Sequence, residues 1–280
     1  MTIVTKNLDL GALSEVLENV PVHRYTDTVT TQTTDFVAVE VPVALEFNGI
    51  SHAVMLASPC DLKDFALGFS LTEGILKKPS ELYDCEVIQS RDGLIVQLEI
   101  SSERFLELKE RRRNLIGRTG CGLCGVETID QAVRHPNPIQ HLSHLSDQCL
   151  LSGMQKMLGL QAIHHYTGAT HAAAWMDRDG EIVAVREDVG RHNALDKLIG
   201  FLAENQQDYS KGAALISSRA SFEMVQKSAT MGIGILAAVS APTSLAVKLA
   251  IESRLTLLGY VRQNSYVTYS CPERIITNNI

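Results

Sequence analysis

Between residues 213 and 261, strand-length apolar runs alternate with helix-length amphipathic ones, and no other feature constrains the fold of this chain as strongly. Residues 213–217 read as a strand and 221–231 as a helix. Residues 235–240 and 243–254 repeat the pair, and 256–261 form a third strand. Strands separated by helical crossovers build a parallel sheet, and such sheets bind ligands beyond the carboxyl ends of their strands. Those ends read Ser217-Ser218-Arg219, Ser240-Ala241-Pro242-Thr243 and Val261-Arg262-Gln263-Asn264-Ser265. All three are polar, and two carry an arginine. The first two each open a helix, whose free backbone N–H groups suit a phosphate. A nucleotide-like or phosphorylated ligand is the expectation, set against a polar rim that binds nothing. No Walker loop is present, and Gly232 with Gly234 does not make a dinucleotide fingerprint. The run Asp188-Val189-Gly190-Arg191-His192-Asn193 gathers acid, cation and imidazole at a helix start, which makes His192 a further candidate.

The earlier part of the chain has a different pattern. Residues 1–36 are polar and threonine-rich without sustained periodicity, and are expected to be a loose arm. Two β-type runs, 40–47 and 50–57, flank Asn48-Gly49, a strong hairpin signal. Pro42 predicts that the first of them lies at a sheet edge. Residues 61–78 show helical spacing of Leu62, Phe65, Ala66, Phe69 and Leu76. Residues 86–100 give a second pair of strands around Asp92-Gly93, and 101–115 a helix. The segment 37–116 is thus a small α+β unit. A Pro- and His-rich connector, 135–146, is the candidate boundary. Beyond it come a helix marked by Leu150, Leu151, Met154, Met157 and Leu158, strands at 171–176 and 181–185 joined through Asp179-Gly180, and a helix at 189–203.

Between these parts lies residues 117–127, Gly-Arg-Thr-Gly-Cys-Gly-Leu-Cys-Gly-Val-Glu. Four glycines around Cys121 and Cys124 disfavour both helix and strand and predict a mobile loop. Lys109, Arg111, Arg112, Arg113 and Arg118 lie just upstream. Positive charge beside a thiol favours the nucleophilic thiolate; the plainer alternative for such a run is a solvated helix face. Spacing alone leaves three readings of the pair: a structural zinc site completed by two of His135, His141 and His144, a thioredoxin-like dithiol, or a carrier thiol that holds a persulfide. Pro136 and Pro138 argue against histidines carried on a helix, and the glycines argue against the thioredoxin geometry. Cys60, Cys85, Cys149 and Cys271 are scattered singly and read as ordinary buried or half-buried cysteines.

The chain has 280 residues and a net charge of -7, so general nucleic-acid binding is not indicated. No signal-peptide pattern opens it and no run is long enough to span a membrane, which implies a cytoplasmic home with reduced thiols.

Several stretches together carry a resemblance. They are residues 40–75, the Cys121–Cys124 loop, Thr170-His-Ala-Ala-Ala-Trp175, Glu187-Asp-Val-Gly-Arg-His-Asn-Ala-Leu-Asp-Lys197 and Ser217-Ser-Arg-Ala-Ser-Phe-Glu-Met-Val-Gln-Lys-Ser228. Over about residues 37–270 the chain closely resembles the FdhD family of sulfur carriers required for formate dehydrogenase activity. The resemblance implies a cytoplasmic sulfurtransferase. It would take sulfane sulfur from an IscS-type cysteine desulfurase and pass it to the molybdenum cofactor, bis(molybdopterin guanine dinucleotide), before insertion into formate dehydrogenase. The persulfide cysteine falls on Cys121, with Cys124 assisting. The cofactor-binding stretch falls on Tyr260, Val261, Arg262, Gln263, Asn264 and Ser265, joined on strand-end grounds by Ser217, Ser218, Arg219 and His192. A homodimer without a permanently bound metal is implied.

The implied architecture is α/β, α+β overall: an arm at 1–36, an α+β domain at 37–116, a flexible C-x-x-C loop and connector at 117–146, and a cytidine-deaminase-like three-layer domain at 147–280. Deaminase chemistry itself is disfavoured, because Ala172 and Ala173 follow His171 where a general acid/base Glu is needed, and the C-x-x-C precedes the histidine. The alternative function is a zinc-stabilised scaffold that escorts the dehydrogenase without carrying sulfur.

Overall fold

The computed structural model describes residues 10–116, 135–141 and 143–277. Cys121, Cys124 and Arg118 fall outside these residues. Two sheets dominate. The first has strand order β4-β3-β6-β5, formed by β3 (Val41–Phe47), β4 (Ile50–Ala57), β5 (Leu82–Gln89) and β6 (Leu94–Ile100). Asn48-Gly49 turns β3 into β4, with both residues at positive φ, as an Asn-Gly turn requires. Helix α2 (Leu62–Thr72) covers one face of this sheet, burying Leu62, Phe65, Ala66 and Phe69 against Val43, Leu45, Phe47, Val96 and Leu98. Helix α3 (Ser102–Ile116) follows.

Pro42 is not on an edge strand: β3 pairs with β4 on one side and with β6 on the other. The proline is tolerated because pairing with β6 begins one residue later, at Val43, so its missing N–H falls outside that ladder. From residue 10 onward, the stretch expected to be a loose arm is also structured. After a short helix α1 (Leu10–Val16), β1 (Leu17–Thr26) and β2 (Val29–Ala38) pair antiparallel along their whole length, and Phe36 meets Tyr166 edge-on at 5.8 Å. The ribbon is largely exposed, so its sequence lacks the alternation that marks a half-buried strand.

The second sheet is mixed, in the order β13-β12-β11-β10-β8-β9. Its central strands β10 (Gly212–Ile216), β11 (Ile235–Ala238) and β12 (Thr256–Arg262) are parallel, as their helical crossovers dictate. β8 (His171–Asp177), β9 (Ile182–Asp188) and β13 (Ser265–Ser270) run antiparallel to their neighbours. One face carries Trp175, Ala214, Ile216 and Leu236 under α6 (Arg191–Glu204), α7 (Phe222–Thr230) and α8 (Ser244–Glu252). The other carries Met176, Leu215, Ile235 and Leu258 against α4 (Asp147–Gly159). The result is three layers. A short helix α5 (Ala162–Thr167) precedes β8, and a two-residue strand β7 (Leu145–Ser146) pairs with β14 (Ile275–Ile276).

Helices α2 and α6 join the two sheets. They cross so closely that a Cβ on Gly68 would lie 1.8 Å from the Asp196 carbonyl oxygen, and one on Gly200 would lie 1.9 Å from that of Asp64. Two buried ion pairs flank the crossing. Lys197 Nζ meets Asp188 Oδ2 at 2.7 Å with both side chains fully buried, and donates to the carbonyls of Ser58 and Glu187. Asp188 also accepts the Ser58 and Gly190 N–H groups, while Asn193 reaches from Asp188 to the Leu56 carbonyl. In the second network Lys227 Nζ donates to both oxygens of Asp196, to Glu73 and to Thr72, whose hydroxyl in turn donates to Asp196. Burial works against the charge on Lys227, but Asp196 and Glu73 outweigh it and hold the ammonium above the usual lysine range.

Breaking a buried pair from one side strands its partner in low dielectric, so Asp196→Ala should cost about 3–5 kcal/mol. Adding Lys227→Met should return part of that loss, because the second change removes the stranded charge. Gly68→Ala should cost about 1–3 kcal/mol by wedging α2 from α6. Urea unfolding of the three variants measures all three effects.

Candidate functional site

The strand-end rim is assembled by backbone continuity. The Ser217 N–H donates to the Ala172 carbonyl, Val239 N–H to Ile216, Thr243 N–H to Ala220 and Tyr260 N–H to Ser240. Residues 217–220, 239–243 and 260 therefore stand side by side, with His171 and the β9–α6 junction continuing the row. Within it the predicted residues have unequal roles. Ser217 Oγ accepts the Ala172 N–H at 2.8 Å and extends the β8–β10 ladder. Ser218 is buried, its hydroxyl donating to the Arg219 carbonyl. Arg219 is exposed on the rim.

The segment 260–265 differs from its expected form. It is a hairpin, not a loop beyond a strand: β12 continues to Arg262, Gln263 and Asn264 make the turn, and Ser265 opens β13. Tyr260 sits at φ 53° beside a register shift. Val261 is 1% exposed and belongs to the core, so its side chain is not free to meet a ligand. Tyr260, Arg262, Gln263, Asn264 and Ser265 are exposed, and the Arg262 guanidinium lies 6.0 Å from the Tyr260 ring centroid.

His192 opens α6, its Nε2 2.5 Å from Glu223 Oε2 in the first turn of α7. The hydrogen bond from His192 holds Glu223 below the usual carboxylate range against the effect of burial, and Arg191 and Lys227 add to the depression. Burial, then Arg191, His164 and His192, keep His171 below the usual histidine range. Arg191, the cation of the Asp188–Asn193 run, stands beside His192 at the start of α6. Its Nε is buried and makes no hydrogen bond among the described residues. With exposed Arg219 and Arg262 it gives this end of the sheet a positive field, suited to an anion. Of the two helix starts, Thr243 caps α8 with its own hydroxyl, which accepts the Ala246 N–H. Ser221 caps nothing with its hydroxyl at α7.

Two of the remaining cysteines do not compete with the C-x-x-C pair. Burial pushes the Cys60 and Cys85 thiols up to about 11, so neither is a thiolate near neutrality. Lys109 of the basic cluster lies 4.3 Å over the Phe105 ring, and Arg111, Arg112 and Arg113 lie in the last turns of α3. His141 uses both ring nitrogens within the fold, Nε2 at 2.8 Å from the Gly232 carbonyl and Nδ1 at 3.1 Å from Ser143 Oγ. His135 pairs with Glu252 at 2.9 Å, and His144 is exposed. His141 would have to give up a hydrogen bond to become a zinc ligand. Among the described residues no group of three or more His, Cys, Asp or Glu could hold a metal ion, and no helix is long and apolar enough to cross a membrane.

With this geometry in place, the comparisons with known proteins are consistent. Residues 38–276 match the FdhD/NarQ family. A Cupriavidus necator relative named sulfur carrier protein FdhD is 55% identical over 241 residues, which is 86% of this chain and 84% of that one. Relatives of the same name from Bordetella petrii and Variovorax paradoxus are 56% and 52% identical over 241 residues, each covering 86% of this chain and 87% of the relative. A crystal structure described as a formate dehydrogenase accessory protein from Desulfotalea psychrophila aligns with a TM-score of 0.73, covering 93% of this chain and 100% of that one; at 22% identity it shows a shared fold. The chain belongs to the FdhD/NarQ family.

The Glu223–His192 contact gives a pH prediction. Glu223 is depressed in the fold, so its contribution to stability is complete above the ordinary value of 4.5 and is lost as pH falls through the lower folded value. Wild type should exceed Glu223→Gln in urea midpoint at neutral pH, with the gap closing in acid. A gap unchanged between neutral and acid pH would contradict the pairing.

Proposed function

We propose that this protein is a sulfur carrier that serves formate dehydrogenase, with Cys121 as the carrying residue. The observation that carries the reading is 52–56% identity, over 241 residues, to relatives named sulfur carrier protein FdhD. Its chemistry rests on the glycine-flanked C-x-x-C beside a run of cations. The Cys121 thiolate attacks the terminal sulfur of a persulfide on an IscS-type cysteine desulfurase. The new S–S bond forms on Cys121, and the old one breaks with its electron pair leaving on the desulfurase cysteine. Delivery to molybdenum, the substrate metal of bis(molybdopterin guanine dinucleotide), breaks the second S–S bond and returns its electron pair to Cys121. The sulfane sulfur becomes sulfide by taking two electrons from the reduced substrate metal. Cys124 assists this exchange.

The cofactor's guanine dinucleotide phosphates would lie against the starts of α7 and α8. Arg219, Arg262 and Arg191 supply counter-charge, and the exposed residues of the β12–β13 hairpin stand beside them. The protein would act as a homodimer in the cytoplasm, where thiols stay reduced.

Cys121→Ala should abolish activation of formate dehydrogenase while leaving thermal unfolding unchanged, and Cys60→Ala should leave activation intact. Normal activation by Cys121→Ala would remove the carrier assignment, whereas loss of the fold together with bound zinc would favour the scaffold. For the rim, calorimetry with GDP on the full chain should show Arg219→Ala binding more weakly by roughly 1.5–3 kcal/mol, the worth of a charged hydrogen bond to phosphate. Equal binding by both proteins would place the phosphates elsewhere.

A further inference from the structure

Among the described residues, the four-stranded sheet is covered by α2 on one face only. The opposite face can be read from the pairing. Val54 stands opposite Ala44, Ala44 is in register with Ile95, and Ile95 with Ile88. These four make an apolar row across all four strands, and Leu56 opposite Pro42 starts the next row. Val54 is 63% exposed and Leu56 56%, far above what strand residues with a covered face show. On the other side of the row the same face turns acidic. Glu46 is in register with Gln97, and Gln97 with Glu86; Glu99 and Asp84 form the row beyond. The four strands contain no lysine or arginine. One face is thus split into an apolar half and a carboxylate half. None of the described rim residues lies on it.

We infer that this face docks an amphipathic helix of a partner protein, one with an apolar stripe flanked on one side by lysine or arginine. A helix is the element that completes a sheet covered on one face only, as α2 does on the inner side. Charge complementarity fixes its chemistry: the apolar stripe lies on Val54, Leu56, Ile95 and Ile88, and the basic flank lies over Glu46, Glu86 and Glu99. A second copy of this face brings the same carboxylates and no cation. An anionic membrane surface is repelled by them.

The test uses the full chain and a synthetic helical peptide of about 18 residues, five turns long, with leucines on one face and lysines along one flank. A peptide with glutamates in place of the lysines is the control. Fluorescence anisotropy should show binding of the lysine peptide alone, and hydrogen exchange should place the protection on β4, β3, β6 and β5. Val54→Asp with Leu56→Asp, and separately Glu46→Lys with Glu86→Lys, should each weaken binding by about tenfold or more, as loss of central interface groups does. Glu18→Lys with Glu204→Lys changes the net charge equally away from the face and should leave binding unchanged. The inference is overturned if the face variants bind like wild type or if the control variant weakens equally. It is overturned also if Val54→Asp with Leu56→Asp abolishes self-association, or binding to phosphatidylglycerol vesicles, in place of peptide binding.

Discussion

The rest of the structure depends on the contact between α2 and α6. Gly68 and Gly200 bring the two backbones together, and Lys197–Asp188 and Lys227–Asp196 close over the crossing from either side. A buried ion pair is weak evidence for net stability, because desolvation cancels much of the attraction. It is strong evidence for a defined arrangement, since any slip of one helix leaves a charge unpaired in the interior. Here the partners come from both sheets: Ser58 and Leu56 carbonyls and Thr72 with Glu73 on one side, α6 and α7 on the other. The two sheets are fixed relative to each other by charge as well as by apolar packing.

That fixation bears on the site. The rim is built from the ends of β8, β10, β11 and β12 and the starts of α6, α7 and α8, all held by strand-to-strand hydrogen bonds. Both stems of the cysteine segment are also tied down. On the upstream side Arg104 of α3 is 1% exposed and pairs with Glu81, Glu103 and Glu107. On the downstream side Arg274 donates to the His141 carbonyl, while the His141 ring holds the Gly232 carbonyl. The described residues on either side of the cysteine segment are thus held in place by buried or half-buried charged and polar contacts.

Much of the fold was legible in the sequence. Asn48-Gly49 and Asp92-Gly93 announced their hairpins, and the strand–helix alternation after residue 212 announced the parallel centre of the large sheet. Three features were not. The β1–β2 ribbon is largely exposed, so it has little apolar alternation to read. β13 follows β12 by a two-residue turn, and with five polar exposed residues around that turn the hairpin resembled a loop. Pro42 suggested an edge because sequence cannot show that the neighbouring ladder starts one residue later. At the site, the run from Asp188 to Asn193 read as a candidate site at a helix start, yet Asp188 and Asn193 are buried and, with Asp196 and Lys197 further along the helix, join the sheets. Conversely, Ser217 and Ser218 read as rim ligands but spend their hydroxyls on backbone. Burial separates these roles, and adjacent polar residues on one helix give no sign of it: Asp196 turns toward α7 and Lys197 toward the end of β4.

The proposed function requires sulfur to travel on one named thiol. Intact mass of the full chain after incubation with a cysteine desulfurase and cysteine should show a gain of one sulfur atom that is removed by a reducing thiol, maps to the peptide containing Cys121, and is absent from Cys121→Ala. Sulfur found instead on Cys60, Cys85, Cys149 or Cys271, or no gain at all with the chain folded and the desulfurase active, would contradict it.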